Sequence, residues 1–600
     1  MRKVQGHSRD SIQFFCLDEM IPHDSFFRVV DAFIDTIDLE KLGFKYKKRK
    51  SNAGRPAYSA RSLLKLFICG YRLSIRSGRK LEDVCKYDIR FKWLLNSTTP
   101  DANTINDFRK NNTSLLKNVF YELNRNLLKM NLLSLSSLSQ DGYKIKASNS
   151  KENNYTRNKV NDRIIRNNDK KEKLSKILDE VKKFEQYLTD SEKLSILEES
   201  ENELNDVNQR LAKQNAISDY LNASGENQIS LTDPDCKLMR NNSKFEPCYN
   251  NQATVDTSSH LTAAFNADDN PADIGSLNNM ADIINKEYKQ HDDVIENIEN
   301  PITTIPTDKG YLSTKDMMDC LENAVIPQVT PINKGQTHYN LETVYEKHDI
   351  TEDIFNSTKP EDIKKCLRSG VVPKCYEDMV FDIKVEEKKV FVEDKDDLII
   401  EHRSEEEIRE TAIENSTFER DLRTNTVFCP AGEILSQKST NGDLTRYTNK
   451  LACKNCKNKC TPSKFKEANF KKNQKTMVPK NSTAEKPRNK RRKKTTRSIV
   501  TLKLKIDYNI LKLRMQTSEH SQGTLKTVDN HSYLNVRGKD LVNADLSIHY
   551  TFSNLRRACN MVGAEKLIEM FLELSLLSKK IKNSILIFYF RINFSFLLLF

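Results

Sequence analysis

The sequence predicts an α/β fold in which an all-helical N-terminal domain precedes a mixed β-sheet, and two patterns indicate it. Apolar residues recur at helical spacing from about residue 25 to residue 130, with short polar breaks between the helices. From residue 133 to about residue 330, strand-like segments alternate with helical ones. Such an order is typical of α/β proteins with mixed strand directions.

The N-terminal helices are indicated by apolar faces such as Leu63, Leu64, Phe67 and Tyr71. Several of these helices end in Arg or Lys beside a turn, which suits insertion into a DNA groove. An ordinary helical bundle with a solvated face is an equal alternative.

The first strand is predicted within Leu133–Ala147, where Tyr143 and Ile145 alternate with lysines, so that Asp141 lies on or near a strand. After it, apolar residues at four-and-three spacing predict an antiparallel helical hairpin, which we assign no chemistry. The elements that follow are a strand pair, a helix, a strand that delivers Asp308 at its C-terminal end, a second helix and a last strand. In order, they are Asn251–Val255, Leu261–Ala267, Asp273–Tyr288, Ile302–Pro306, a helix ending at Leu321, and Val325–Val329.

A long, charged and cysteine-bearing insertion then precedes a helical segment from Ile510 to Lys526, which carries Glu519. These patterns divide the chain into five parts. They are the helical domain 1–130, the first part of the core 131–330 with its hairpin insertion 160–230, the insertion 331–506, the C-terminal helix region 507–577 and an apolar tail 578–600.

The formal charge of +13, from 97 basic and 84 acidic residues, is modest for 600 residues, so the placement of the charges matters more than their sum. Two basic clusters stand out, one around residues 45–50 and one from Lys486 to Arg497. The second contains Lys490, Arg491, Arg492, Lys493 and Lys494. Each cluster suits a phosphate-binding surface and, equally, a solvated linker.

The thirteen cysteines are odd in number and mostly single, and no signal segment opens the chain, which together indicate a reducing interior compartment. The apolar run Ile585–Phe600 is short for a membrane span and contains Arg591. We therefore expect no membrane partner.

Three carboxylates, Asp141, Asp308 and Glu519, stand in distinctive local settings far apart in the sequence. Such residues meet only through the fold, and a converged set of carboxylates is what two divalent metal ions need for phosphodiester chemistry. For any single Asp or Glu of the 84 in the chain, plain solvation is the ordinary alternative.

Short motifs surround these carboxylates in a fixed order. They are Gly54-Arg55-Pro56, Ser77-Gly78-Arg79-Lys80, Asp107-Phe108-Arg109, Asp141-Gly142, Tyr249-Asn250-Asn251-Gln252, Asp308-Lys309-Gly310-Tyr311, Cys429-Pro430-Ala431-Gly432, and Glu519 with Gly523 and Lys526. With them the chain resembles the DDE-class transposases of bacterial insertion sequences, from the branch with a helical N-terminal domain and an RNase H-like catalytic core.

The resemblance implies a metal-dependent enzyme that cleaves transposon ends and joins them to target DNA. Asp141, Asp308 and Glu519 would hold Mg²⁺ or Mn²⁺, while Lys526 would lie near the DNA end and Arg514 would contact a phosphate. The partners would be double-stranded terminal inverted repeats and target DNA. The protein would be a homodimer in the DNA complex, cytoplasmic and nucleoid-associated, or nuclear in a eukaryotic host.

Two positions depart from the family's pattern, with Leu511 where Tyr is common and Gln522 where an aromatic residue is common. A catalytically inactive, transposase-derived DNA-binding protein is therefore the alternative. A nuclease-like protein that acts on RNA hybrids is a third candidate, although it leaves the N-terminal domain without a role.

The insertion also places four cysteines, Cys429, Cys453, Cys456 and Cys460, within about 30 residues. A tight Cys-x2-Cys pair is a common half-site for structural Zn²⁺. Unliganded, reduced thiols are the alternative.

Overall fold

The structure is a computed structural model that describes residues 10, 12, 14–44, 57–183, 189–241, 243–290, 302–391, 405–421, 426–441, 444–456, 467–471, 474, 476–477, 494–519, 523–529 and 531–576. The chain forms two compact units, each built from separate stretches of sequence. The first comprises Met1–Asn154, Ser230–Glu386 and Ser498–Phe600, and the second comprises Tyr155–Ile229 and Glu387–Arg497.

Helices make up all of the described N-terminal region and recur throughout the chain. In chain order they are α1 (Phe26–Thr36), α2 (Ala60–Arg72), α3 (Gly78–Tyr87), α4 (Ile89–Leu94), α5 (Ala102–Asn111), α6 (Thr113–Lys129), α7 (Arg157–Lys183), α8 (Asp190–Ser224), α9 (Ser276–Ile284), α10 (Thr314–Glu322), α11 (Glu352–Asn356), α12 (Pro360–Arg368), α13 (Glu405–Glu414), α14 (Lys450–Asn455), α15 (Tyr508–Arg514) and α16 (Lys539–Val562). Short 3₁₀ turns cover Lys151–Asn153, Lys309–Tyr311 and Lys374–Tyr376, and π-helical turns cover Asn285–Lys289, Met515–Glu519 and Thr524–Val528.

Strands begin where the N-terminal helices end. They are β1 (Leu138–Lys146), β2 (Asn154–Thr156), β3 (Gln228–Ser230), β4 (Lys237–Asn241), β5 (Lys244–Asp256), β6 (Thr262–Asp268), β7 (Thr303–Thr307), β8 (Val325–Val329), β9 (His338–Val344), β10 (Val380–Phe391), β11 (Phe418–Arg420), β12 (Val427–Phe428), β13 (Ile434–Asn441), β14 (Leu444–Thr448), β15 (Glu467–Lys471), β16 (Thr476–Met477) and β17 (Lys494–Lys505). The predicted mixture of helix and sheet is confirmed.

The N-terminal helices begin at side chains that satisfy free backbone N–H groups. Ser25 caps α1, Ser59 caps α2, and Asp101 caps α5 by accepting from the N–H groups of Asn103 and Thr104. Such caps stabilise a helix start by about 1 kcal/mol each. The polar breaks seen in the sequence are therefore helix boundaries.

The central sheet of the first unit has strand order β6-β5-β1-β7-β8. Strand β5 pairs antiparallel with β1, β4 and β6. Strands β7 and β8 are parallel, and a parallel bridge between Ser137 and Thr304 joins β7 to the start of β1. The sheet is thus antiparallel on one side of β1 and parallel on the other.

Helix α16 joins the N-terminal helices to this sheet. The ring of Tyr550 on α16 lies 4.7 Å from that of Phe265 on β6, and Phe265 lies 5.1 Å from Phe120 on α6. The amide of Asn554 donates to Asn124 Oδ1 on α6, at 2.8 Å, and to a backbone carbonyl of β6. The N-terminal helices and the sheet consequently share one hydrophobic core.

In the second unit, α7 and α8 form an antiparallel hairpin, since Arg157 near the start of α7 bonds the carbonyl of Leu221 near the end of α8. Small apolar clusters around Val160 and Val207 hold the two helices together. A six-stranded sheet of order β15-β14-β13-β12-β11-β16 has a separate core around Phe418 and Tyr447.

No helix in the part of the chain that the structure describes is long and apolar enough to cross a membrane. The apolar run 585–600 lies outside the described residues.

Candidate active site

Asp141 lies in the middle of β1, half-buried, and pairs in register with Ala253 of β5. Its Oδ1 atom accepts a hydrogen bond from the N–H of Gly142 at 2.8 Å. Burial raises the pKa of Asp141 from 3.8 to about 6, and the neighbouring Asp308 and Asp273 add to the rise. The Gly142 N–H and the Arg514 guanidinium oppose it. A positive charge close to this carboxylate would therefore be strongly favoured.

Asp308 follows the last residue of β7 and caps the 3₁₀ turn behind it, where its Oδ1 accepts from the N–H of Gly310 at 2.7 Å. The bridge between Ser137 and Thr304 fixes the level of this turn on the sheet. Ser137 and Thr304 are bridge partners, and Asp141 and Asp308 each lie four residues beyond them along the chain. Asp141 on β1 is therefore level with Asp308, which directly follows the neighbouring parallel strand β7. Neighbouring strands are about 4.8 Å apart, which brings the two carboxyl groups together.

Two cations from the C-terminal segment complete the surroundings of Asp141. Arg514, the last residue of α15, lowers the pKa of Asp141. Lys526 lies with its Nζ atom 4.7 Å from the ring centroid of Tyr143, two residues beyond Asp141 on the same strand face. Burial lowers the pKa of Lys526, and the Asp141 carboxylate opposes that shift. Arg514 and Lys526, two of the seven residues that the sequence analysis assigned to DNA contact, thus lie beside Asp141.

Glu519 is the last residue of the π-helical turn Met515–Glu519, and its side chain lies outside the described residues. The turn itself contacts β1 and β5. This turn is thus close to the strand that carries Asp141, and the role of Glu519 as third ligand stays a prediction. Among the described side chains, no three His, Cys, Asp or Glu residues could hold a metal ion together.

A hydrogen-bonded network that the sequence did not reveal lies behind the carboxylate pair. The Tyr311 hydroxyl donates to Gln252 Oε1 at 2.5 Å, and Gln252 Nε2 donates to Asp273 Oδ1 at 2.8 Å. Asn250 and Lys144 also donate to Asp273 Oδ1, at 2.9 and 3.2 Å. Because Tyr311 belongs to the turn that carries Asp308 and Gln252 pairs with Gly142, the network ties the two carboxylate-bearing segments together.

Asp273 therefore differs from the other two carboxylates. Three donors already occupy its Oδ1 atom. Asp141 and Asp308 each accept one backbone N–H through Oδ1, and among the described residues no hydrogen bond engages their Oδ2 atoms. Hard cations such as Mg²⁺ take one or two carboxylate oxygens and complete their shell with water and phosphate, so the Asp141–Asp308 donor set fits such an ion.

Gly142 is required by this packing. A Cβ atom at this position would lie 2.3 Å from Gln252 Nε2 and 3.0 Å from Asp273 Oδ1. The glycine that follows Asp141 in the sequence motif is thus explained by the close approach of the network, and Tyr311 in the second motif by its bond to Gln252. The motifs themselves were the only sequence signal for these roles.

The basic residues that the sequence analysis assigned to DNA binding before β17 are mostly outside the described residues. Lys490, Arg491, Arg492 and Lys493 are outside the described residues, and so is the side chain of Lys494, whose backbone begins β17. The basic cluster at residues 45–50 is also outside them.

The cysteines of the insertion are partly brought together. Burial raises the pKa of the Cys429 thiol, and the nearby thiols of Cys453 and Cys456 contribute to the rise. Cys460 is outside the described residues. None of the thiols that the structure describes forms a disulfide, and a zinc site stays a prediction.

Comparison with known proteins supplies one match. Residues 15–111 match the family described as "Transposase domain (DUF772)", which covers the N-terminal helices α1 to α5. No curated protein and no solved structure matches the chain. The match supports a transposase family and, with it, a function related to transposition and a DNA partner.

Proposed function

We propose that this chain is a DDE-class transposase that cleaves DNA at the ends of its element and joins them to target DNA. The proposal is supported by the proximity of Asp141 on β1 to Asp308 directly after the neighbouring parallel strand β7, with Arg514 and Lys526 beside Asp141. The transposase-domain match at residues 15–111 agrees with it.

The sheet order favours an RNase H-like core for this enzyme. Three antiparallel strands, β6, β5 and β1, continue into the parallel strands β7 and β8, so that the first and fourth strands of the core are neighbours. Asp141 lies on the first of these strands, and Asp308 directly follows the fourth. Glu519 would join them from the π-helical turn that contacts β1.

In this proposal Asp141, Asp308 and Glu519 hold two Mg²⁺ or Mn²⁺ ions. When bound, such ions activate an oxygen nucleophile and stabilise the leaving oxygen of a phosphodiester. Arg514 and Lys526 bind the phosphates on either side of the scissile bond, and the network through Gln252 keeps the two aspartates in register. Pairing of two DNA ends would require a homodimer.

The test is cleavage of a supercoiled plasmid that carries the DNA flanking the coding sequence, with Mg²⁺ as the only divalent ion. We expect nicking by the wild-type chain, and a loss of roughly a hundredfold or more in Asp308→Ala because metal ions supply several kcal/mol of transition-state stabilisation. Asp349→Ala, an exposed aspartate elsewhere in the same unit, is the matched control and should cut normally. Equal nicking by wild type and Asp308→Ala would contradict the assignment.

The inactive alternative gives a different outcome in the same assay. A derivative that only binds DNA would shift the plasmid in a gel without nicking it, and Asp308→Ala would behave like the wild-type chain.

A further inference from the structure

An open cleft lies beside the C-terminal end of β1, away from the carboxylate pair. Its volume is about 810 Å³. The walls come from the end of β1, from the loop behind it and from the segment between Lys526 and α16. Its lining includes Lys146, Asn149, Asn153, Tyr533, Asn535 and Arg537.

The cleft combines three kinds of side chain that can bind a nucleotide. Lys146 and Arg537 supply positive charge, several asparagines supply amides, and Tyr533, a residue that is 43% exposed, supplies an aromatic ring. One carboxylate, Glu246, also lines the cleft and pairs with Lys146 at 3.2 Å. A carboxylate can accept a hydrogen bond from the amino group of a base.

Tyr533 is held in place by Arg76 and by backbone hydrogen bonding of its segment to β1. The guanidinium of Arg76 lies 4.8 Å from its ring centroid and donates to its carbonyl oxygen at 2.9 Å. Its neighbours bond to β1, since the N–H of Leu534 donates to the carbonyl of Lys146 at 2.8 Å. The exposed ring is therefore fixed before any ligand arrives, which lowers the entropy lost on binding.

We propose that this cleft binds an unstacked nucleotide of single-stranded DNA, with its base on the Tyr533 ring and its phosphate near Lys146 and Arg537. Proteins that bind single strands combine a positive groove with aromatic side chains on which bases stack. The asparagine amides and Glu246 contact the edge of the base. This inference rests on the proposed function, because cleavage at a DNA end is what supplies the single strand.

The position of the cleft relative to the carboxylates agrees with this role. Lys146 lies five residues beyond Asp141 on β1, or about 17 Å at the usual rise of a strand. About five stacked nucleotides span that distance, and fewer unstacked ones. The segment that carries Lys526 beside Asp141 continues to Tyr533 in the cleft, so one stretch of chain borders both sites.

The test is binding of the full-length chain to fluorescently labelled oligothymidine of about 12 nucleotides, within the usual site size of such domains. The same measurement with a duplex of equal length, both in EDTA, separates single-strand from duplex affinity. We expect Tyr533→Ala to weaken single-strand binding by about tenfold, with duplex binding unchanged. Tyr533→Phe keeps the ring and should bind like wild type, as should Tyr87→Ala, which removes an exposed tyrosine of α3.

A second measurement does not depend on the folding of a variant. Oligothymidine substituted with 5-iodouracil and irradiated with the wild-type chain should cross-link to the peptide that contains Tyr533. Cross-links confined to other peptides, or unchanged single-strand binding by Tyr533→Ala, would overturn the inference, and so would equal losses for single strand and duplex. A wild-type chain that binds neither DNA contradicts the proposed function itself, which distinguishes the two failures.

Discussion

At the scale of single residues, the carboxyl group of Asp141 lowers the stability of the folded chain at neutral pH. Its carboxyl group is half-buried on β1, and burial raises its pKa from 3.8 to about 6. Between these two values the folded chain holds more protons than the unfolded chain. The free energy of unfolding therefore falls as the pH rises from about 4 to about 6, and the deficit remains at higher pH.

We expect Asp141→Asn to stabilise the metal-free protein at pH 7.5 by up to about 3 kcal/mol, because a shift of one pKa unit corresponds to about 1.4 kcal/mol. The amide keeps an oxygen for the Gly142 N–H while it removes the buried charge. Urea denaturation in EDTA would measure the change, and the same variant should not cut DNA.

The pH dependence provides the check on this prediction. The gain in the free energy of unfolding of Asp141→Asn should disappear near pH 4. At pH 7.5, Mg²⁺ should reduce the difference in stability between the variant and wild type, because an ion bound only to the folded wild-type chain stabilises that chain. Asp349→Asn replaces an aspartate on the surface and should change neither the pH dependence nor the Mg²⁺ dependence of the free energy of unfolding. If Asp141→Asn were less stable than wild type at pH 7.5, the inference that the buried charge of Asp141 lowers stability would be wrong.

At the scale of elements, α16 anchors the segment that carries Lys526. Asp545 on α16 accepts hydrogen bonds from Tyr71, from Arg109 at 3.1 Å and from His531 at 3.2 Å. His531 in turn donates its backbone N–H to the carbonyl of Leu525, beside Lys526. One fully buried carboxylate thus connects two N-terminal helices to the segment that carries Lys526.

We expect Asp545→Ala to lower the free energy of unfolding by about 3 to 5 kcal/mol, because it leaves Arg109 buried without its charge partner. Denaturation by urea would measure the loss. Glu569→Ala removes an exposed pair with Lys566 and should change stability by less than about 1 kcal/mol.

Acid should reduce the effect of Asp545→Ala. Hydrogen bonding to His531 and the charges of Arg109 and His531 outweigh burial and hold the pKa of Asp545 at about 2. The stabilisation is therefore present above the ordinary pKa near 4 and is lost as the pH falls from about 4 to about 2. A loss below about 1 kcal/mol at neutral pH would show that the network contributes little.

At the scale of the whole molecule, the chain builds one large core from distant stretches and adds a second unit to it. The hairpin α7–α8 starts and ends at neighbouring points, since the N–H of Arg157 donates to the carbonyl of Asn227 at 3.3 Å. Its apolar clusters are separate from the core that the N-terminal helices share with the sheet.

We expect replacement of residues 158–226 by a short Gly-Ser linker to leave the first unit folded, because the linker need only close a small gap. The midpoint temperature of thermal unfolding should differ from that of the wild-type chain by only a few degrees. Limited proteolysis of the shortened and wild-type chains should yield the same stable fragments from the first unit. A soluble chain that unfolds far below the wild-type temperature would show that the hairpin supports the main core.

Local patterns in the sequence were enough to predict many of the helices and strands and to single out the residues worth testing. Alternation over a few residues and turn-forming side chains are local signals, so the strand Val325–Val329 and the position of Asp308 at a strand end could be predicted. The prediction that Lys526 lies near the DNA end came from its motif. That motif is also a local signal, because Glu519 and Lys526 are only seven positions apart in the sequence.

Which of these residues lie close together depends on contacts between distant segments and could not be predicted from local patterns. The bridge from Ser137 to Thr304 spans more than 160 residues, and it alone sets Asp141 and Asp308 at one level. The same holds for Gln252 between Tyr311 and Asp273, and for the core that α16 shares with the N-terminal helices. Periodicity specifies the exposed and buried faces of a strand, whereas its partner and register follow from packing between segments far apart in the chain.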